Sequence, residues 1–369
     1  MNQLFRWDQM GLFLLALAAG ILPFAVPEVC AAALREGLTL CSGPLLLSLF
    51  PFLVVSRLLI QCPESDLLAL PFRLAAWGIG IRTPCAARVL CIGFLGGFAP
   101  AASAAAQAVR TGQLTVEEAD ALLPACICSG PSFVVLTVGQ SLLGSAELGV
   151  LLFASQITAN YLTAALLNRF AGVRSVKLGS AAPASPAPPR LDEILADAAI
   201  TYCKLCGFIL FFRMLAAGAG ALLPADAGTL CSILLEVCSG CDLASRTGRW
   251  GSLLCCAALS VQGLSVLLQV RTICPPEMTL RPLYRARMLH LPLSLALFYL
   301  LLPGGEADVF STLPARVLLM RRVPPDCALL VFAVCCMAVC TLRSGIRQVE
   351  QKQMARNAGG CCINSKTLL

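Results

Sequence analysis

The chain contains two apolar segments interrupted by glycine or proline in its first half, and two more in the same order in its second half. The first pair lies at 93–100 and 129–135, and the second pair lies at 236–241 and 262–268. Matched positions in the two halves keep their order while their separation decreases: Arg57 and Arg213, Gly97 and Gly240, and Ser132 and Ser265. This pattern indicates an internal duplication whose second copy has shorter loops.

The overall composition places the chain in a lipid bilayer. Hydrophobic residues make up 58% of it and charged residues only 13%, whereas soluble domains carry roughly 25% charged residues. The apolar runs that approach the roughly 20 residues needed to cross a bilayer lie at 10–27, 43–61, 85–109, 146–168, 250–270, 288–303 and 326–342. We predict an all-α, polytopic membrane protein with two repeated halves that contain broken or re-entrant helices.

A segment rich in proline, alanine and serine divides the chain into two halves. We interpret this segment, 172–190, as an extended linker. The run at 10–27 is interpreted as an uncleaved helix, with a cleaved signal peptide as the alternative. The predicted units are an N-terminal transmembrane helix (1–29), a first repeat (30–171), the linker, a second repeat (191–303), an interfacial segment with the last transmembrane helix (304–345) and a basic tail (346–369).

Two segments carry signals of a helix N-terminus. Thr115 and Glu118 have the spacing of a capping box, and further acidic residues lie in the first turn. They predict a short, exposed helix between the two interrupted segments of the first half. The segment that begins at Leu191 is amphipathic and then becomes wholly apolar, which is typical of an interfacial helix that leads into a membrane span.

The interruptions are the first candidates for a binding site. Irregular backbone at membrane depth is tolerated only where it is buried in protein or lines a wet cavity, and helix N-termini attract anions and polar groups. For a single interruption, close helix packing through small residues is the favoured explanation, but four that are arranged as repeats favour a site. The candidate substrate-binding residues near the interruptions are Gly96, Gly97, Ser129, Gly130, Ser132, Ser239, Gly240, Gln262, Gly263, Ser265 and Gln269.

Three charged residues inside apolar runs are candidates for the same site. Arg57 and Arg213 lie at equivalent points of the two copies, and a guanidinium binds a carboxylate through two parallel hydrogen bonds. Alternatively, both arginines lie near helix ends and extend to the membrane surface. Glu236 is placed to take up a proton or to bind a cation, or else to form a structural ion pair with Arg213.

Catalytic and metal-binding patterns are weak in this sequence. The 21 cysteines lie mostly in apolar segments, where cysteine acts as a small hydrophobe. The CxxC pairs at 203–206 and 238–241 form a zinc site only if their helices meet. The single histidine, His290, excludes a relay built on histidine pairs. With no hydrolase, kinase or phosphate-loop pattern, we expect no enzyme activity, no metal and no cofactor.

Four segments together resemble the YlbJ-type sporulation integral membrane proteins. This family is part of the wider group with duplicated nucleoside-recognition, or Gate, domains, which includes spore maturation proteins and concentrative nucleoside transporters. The resemblance covers about residues 10–305, and its most specific segments are 112–119, 129–139, 236–241 and 263–270, followed by Arg287 and His290. The chain departs from the family pattern at 97–101, and at Gln156 and Leu267, where relatives often carry histidine.

The resemblance implies a transporter that moves a small organic anion, dipicolinate, from the mother cell toward the developing spore. The alternatives are a non-transporting scaffold for assembly of the spore envelope and cortex, and a transporter of the nucleoside type. The expected partners are the anion and the lipid bilayer, with a coupling ion, a second copy of the chain or other sporulation membrane proteins left open. No nucleic acid is expected, because the net charge of +7 is spread over loops and tail. The implied location is the bacterial cytoplasmic membrane or a forespore membrane.

Overall fold

The computed structural model describes residues 2–61, 63–171 and 191–302, and every regular element within them is helical. The first half contains α1 (Asn2–Ala25), α2 (Pro27–Ser42), α3 (Pro44–Gln61), α4 (Leu70–Gly78), α5 (Pro84–Gly96), α6 (Phe98–Arg110), α7 (Val116–Cys126), a π-helix (Ser132–Leu142) and α8 (Ala146–Ala171). The second half contains α9 (Leu191–Leu222), α10 (Ala225–Leu235), α11 (Val237–Ser245), α12 (Gly251–Val261), α13 (Gly263–Ile273) and α14 (Arg281–Leu301). The predicted linker at 172–190 and the units at 304–345 and 346–369 lie outside the described residues.

The helix lengths confirm the prediction of an all-α membrane protein. By length and composition, three stretches of the described chain can cross a membrane: Ala146–Ala171, Leu191–Leu222 and Gly248–Ile273. A fourth span results if Phe13–Ala25 and Pro27–Ser42, which meet at 110°, count as one. The amphipathic segment predicted at Leu191 continues without a break through the 32 residues of α9.

The run at 85–109 forms a helical hairpin rather than a span. Its legs, α5 and α6, have 13 residues each, or about 20 Å, which is less than the roughly 30 Å of a hydrocarbon layer. A Cβ added to Gly93 would lie 3.2 Å from the Cβ of Ala101, whereas eight residues of straight helix span about 12 Å. The legs therefore fold back at Gly97, whose φ of 82° is easily adopted only by glycine.

The second half contains the corresponding hairpin, formed by α10 and α11. It turns at Glu236, and a Cβ added to Gly240 would lie 2.8 Å from the Cα of Ile233 on the opposite leg. The predicted equivalence of Gly97 with Gly240 is therefore wrong by four residues. Glu236 has an extended backbone, with φ −150° and ψ 126°, and such a turn needs no glycine to mark it in the sequence.

Each half also contains an interrupted helix that contacts the tip of its hairpin. In the first half residues 127–131 separate α7 from the π-helix, and a Cβ added to Gly97 would lie 2.7 Å from the amide nitrogen of Gly130. In the second half a left-handed residue, Gln262, separates α12 from α13, and a Cβ added to Gly263 would lie 2.9 Å from the amide nitrogen of Glu236. Glycine is thus required where tip and interruption touch.

The two halves contact each other in a reciprocal way. The second leg of each hairpin packs against the second part of the other half's interrupted helix, so α6 contacts α13 and α11 contacts the π-helix. The long helix that closes each half packs against the first part of its own interrupted helix, α8 against α7 and α14 against α12, and α8 and α14 also contact each other. This reciprocal pattern of contacts is expected when two halves are related by an approximate two-fold axis.

The matched helices α3 and α9 run in opposite directions. As residue numbers increase along α2 and α3, the numbers of their contact partners on α9 decrease. The contacts are Glu36 with Arg213, the Cys41 carbonyl with the Tyr202 hydroxyl, and Arg57 with Asp197. Antiparallel packing of equivalent elements indicates inverted repeats, in which the axis that relates the halves lies in the membrane plane.

The helix predicted to follow Thr115 has the expected cap but not the expected exposure. The Thr115 hydroxyl accepts a hydrogen bond from the Glu118 amide, and the Glu118 carboxylate accepts one from the Thr115 amide. Residues Glu118–Cys126 of α7 are buried. The physical reason is that the carboxylates have partners from distant parts of the chain: Glu118 accepts from the Thr83 hydroxyl at 2.6 Å, and Asp120 accepts from the Thr279 hydroxyl at 2.7 Å.

Candidate functional site

A cavity of about 70 Å³, here called the central cavity, lies where the interruptions of the two halves meet. The first half supplies wall residues from its hairpin tip and from its interrupted helix, and the second half supplies a carboxylate and an amide. The predicted site residues that line it are Gly96, Ser129, Gly130, Ser132, Glu236 and Gln269. Three aromatic residues, Phe52, Phe98 and Phe133, also line the cavity.

The Glu236 carboxylate in this wall caps the helix that follows it. It accepts hydrogen bonds from the amides of Cys238 at 2.8 Å and Ser239 at 2.7 Å, and from the Ser239 hydroxyl at 2.9 Å. Glu236 is 2% exposed, and the positive end of α11 offsets its charge. The ion pair with Arg213, the alternative role for Glu236, is not formed, because Arg213 pairs with Glu36 at 2.7 Å.

The other half-helices begin at or near the central cavity without a comparable cap. Within the described chain, the first turns of α6, the π-helix and α13 receive no side-chain capping hydrogen bond. Phe98 and Ser132, the first residues of α6 and of the π-helix, line the cavity. Helix N-termini carry amide donors and partial positive charge, so this arrangement can bind an anion or a polar group.

Gln269 lies in the wall of the central cavity and is hydrogen-bonded to Ser265, which does not line that cavity. Its side-chain nitrogen donates to the Ser265 hydroxyl at 2.9 Å, and its side-chain oxygen is buried with no hydrogen-bond partner among the described residues. Gln262 likewise has an unpartnered buried oxygen but lies outside the wall. The glycines at 97, 240 and 263 contact backbone of the neighbouring segment, as the close-packing interpretation describes.

Arg57 lines a second, larger cavity of about 390 Å³, here called the outer cavity. Its guanidinium pairs with Asp197 at 2.5 Å and donates to the Thr201 hydroxyl at 3.4 Å. The Arg57 side chain is 10% exposed, so it is buried rather than extended to the membrane surface. Arg213 lines neither of the two cavities. The structure therefore places both arginines apart from the central cavity, and it places Arg57 in the wall of the outer cavity.

Arg287 is a buried residue whose role the sequence did not suggest beyond its place in the family motif. Its guanidinium donates to the carbonyl oxygen of Ile127 at 2.6 Å and to that of Ser260 at 3.3 Å. These carbonyls belong to the C-terminal ends of α7 and α12, where the helix dipole is negative. Asn160 adds a donor to Ile127, and Gln156 donates to the Ser260 hydroxyl. Backbone acceptors leave no pattern in a sequence, so these partners could not be predicted.

The cysteines of the described segments are packing residues. All fourteen are free thiols, and ten of them are buried. The two CxxC pairs do not form a zinc site, since no group of three or more potential metal ligands occurs anywhere in residues 2–61, 63–171 and 191–302.

Comparisons with protein-family models, with curated proteins and with solved structures found no match to this chain. The two cavities are thus the basis for assigning a function. They share one wall residue, Gln269. The outer cavity and the central cavity are therefore adjacent at Gln269.

Proposed function

We propose that this protein is a membrane transporter or facilitator for a small organic anion. The observation that supports this most is the central cavity, at which interruptions from both halves meet. Inverted repeats with interrupted helices bind substrate at the interface of the repeats and expose it to either side by moving one repeat against the other. A scaffold needs neither the interruptions nor a shared cavity.

The surroundings of the central cavity favour a small aromatic solute with anionic groups. Phe52, Phe98 and Phe133 supply aromatic side chains, and the N-termini of α6 and the π-helix, which have no side-chain cap, supply amide donors. Dipicolinate, an aromatic dicarboxylate, has both properties and is the compound that the family resemblance implies. A role in sporulation and a location in a forespore membrane belong to the same proposal.

The size of the central cavity indicates that substrate binding requires a change of conformation. Small-molecule sites usually have volumes of roughly 300 Å³ or more, whereas this cavity has about 70 Å³. The hairpin tips have to separate from the interrupted helices before an aromatic ring fits. The described conformation is in this proposal a closed state of the transporter.

Uptake into liposomes tests the proposal. The full chain is reconstituted, and uptake of labelled dipicolinate is measured under several ion gradients. We expect saturable uptake above that of empty liposomes. Ser132→Trp should abolish it by filling the central cavity, whereas Gln140→Trp, on an exposed position later in the same π-helix, should not.

Two other outcomes would assign a different function. No saturable uptake under any gradient, with correctly folded protein, favours the scaffold. Uptake of a nucleoside without uptake of dipicolinate favours a nucleoside-type transporter. The Glu236 carboxylate gives this second candidate a basis, because it lies in the cavity wall where it could accept a hydrogen bond from a sugar hydroxyl.

A further inference from the structure

The outer cavity carries an excess of positive charge. Its wall contains three cationic side chains, Arg57, Arg110 and Lys204, and one carboxylate, Asp197. Two positive charges are therefore unbalanced among the residues that line it. Its volume of about 390 Å³ falls within the range of small-molecule sites, roughly 300–1,000 Å³.

The ion pair in the outer cavity is unequal in burial. The Arg57 side chain is 10% exposed, and its Nε is buried with no hydrogen-bond partner among the described residues. The Asp197 side chain, in contrast, is 63% exposed. A guanidinium can donate two parallel hydrogen bonds to a carboxylate, and Asp197 reaches Arg57 through a single oxygen. The Arg57 side chain is thus buried and has an unused donor, Nε, whereas the exposed Asp197 carboxylate can move away into solvent.

The equivalent arginine provides a natural comparison. Arg213 pairs with Glu36, whose side chain is 66% exposed, so the two ion pairs resemble each other in geometry and in burial. Only the pair formed by Arg57 and Asp197 lines either of the two cavities, and only this pair has further cations beside it in the wall. The difference between the halves is therefore a difference in access to a ligand, not in the ion pair itself.

We propose that the outer cavity is a binding site for a small organic dianion, in which the Asp197 carboxylate occupies the place on Arg57 that a substrate carboxylate takes. The inference rests on the proposed function and adds where the anion first binds. The incoming carboxylate displaces Asp197 from Arg57, and the second anionic group is held by Arg110 and Lys204. From there the anion passes Gln269 to reach the central cavity.

Equilibrium binding of labelled dipicolinate to the purified full chain, in nanodiscs of neutral lipid, tests this inference. Arg57→Gln should weaken binding about 10- to 150-fold, as expected for loss of a charge-assisted contact. Asp197→Asn should tighten binding, because the competing charge is removed. Glu36→Gln and Arg213→Gln, the matched variants of the other ion pair, should leave the affinity unchanged.

Lys204→Gln makes the test independent of folding, because Lys204 is exposed and its loss should weaken binding without unfolding the protein. Unchanged affinity in Lys204→Gln, or weaker binding in Asp197→Asn, would overturn the proposal. If adding anionic lipid to the discs displaces the dianion at constant ionic strength, the cavity holds a lipid headgroup and the proposal is also wrong.

The failure of this inference can be told from the failure of the proposed function. If the wild-type protein takes up dipicolinate but the outer-cavity variants bind it normally, the transporter stands and the outer site does not. If the wild-type protein shows neither binding nor uptake, the proposed function itself is wrong.

Discussion

The backbone of Gly97 lies against the backbone of Gly130 with no space for a side chain between them. A Cβ added to Gly97 would come within 2.7 Å of the Gly130 amide nitrogen and 3.0 Å of its Cα. This contact joins the hairpin tip to the interrupted helix at the wall of the central cavity. A side chain at Gly97 would therefore force this tip away from the interrupted helix.

Gly97→Ala should therefore destabilise the protein. Overlap with Gly130 costs about 1–3 kcal/mol, and the left-handed backbone at Gly97 adds to this cost. Thermal unfolding in detergent measures the effect. Gly207→Ala in α9 is the control, because nothing in the described structure lies within 4 Å of a Cβ added there. Equal melting temperatures for the two variants would contradict the close contact.

Arg287→Met should also lower stability, because it leaves the Ile127 and Ser260 carbonyls without their charged donor. Each hydrogen bond to a charged group contributes about 1.5–3 kcal/mol, so the loss should exceed that of most single substitutions. Arg285→Met changes an exposed arginine on the same helix and serves as the control. Chemical unfolding of the two variants provides the measurement. A similar loss in both would mean that the contacts of Arg287 contribute little.

Asp120→Asn should release the loop that precedes α14. The Asp120 carboxylate accepts from the Thr279 hydroxyl at 2.7 Å and from the Thr279 amide at 3.0 Å, so it ties α7 of the first half to the second half. Hydrogen exchange of the Thr279 amide should accelerate at least about tenfold, which corresponds to about 1.4 kcal/mol. Glu117→Gln, at an exposed position of the same helix, should leave this exchange rate unchanged. Unaltered exchange in Asp120→Asn would show that the loop is held by other contacts.

Gln269→Leu should separate binding from transport. The residue lines both cavities, and leucine retains its approximate size but removes the polar group between them. We expect dipicolinate still to bind at the outer cavity, while uptake into liposomes falls about tenfold or more. Gln140→Leu is the control for an exposed glutamine. Equal loss of binding and uptake in Gln269→Leu would place its role in the binding site itself.

Glycine and proline patterns predicted the location of most interruptions. Gly97 needs a positive φ and a close backbone neighbour, and both requirements select glycine in the sequence. The second hairpin turns instead at Glu236 in an extended conformation that any residue adopts. The nearby glycine at 240 serves the contact between the hairpin legs, which is why the match of Gly97 with Gly240 is wrong by four residues.

The partners of the charged residues could not be predicted from local patterns. Arg57 pairs with a residue 140 positions away, and Arg213 with one 177 positions away. Such pairs depend on the antiparallel packing of α9 against α2 and α3, which neither hydrophobic period nor charge spacing reveals. The sequence predicts that the carboxylates of α7 face solvent, because acidic residues usually do. Their burial depends on hydroxyl groups supplied by other parts of the fold.

A single guanidinium, that of Arg287, holds the ends of one half-helix from each repeat. A motion that separated these two ends would leave the buried Arg287 guanidinium without the Ile127 or Ser260 carbonyl as an acceptor, at a cost of several kcal/mol. A movement of the repeats that preserves both contacts would have to pivot near this residue.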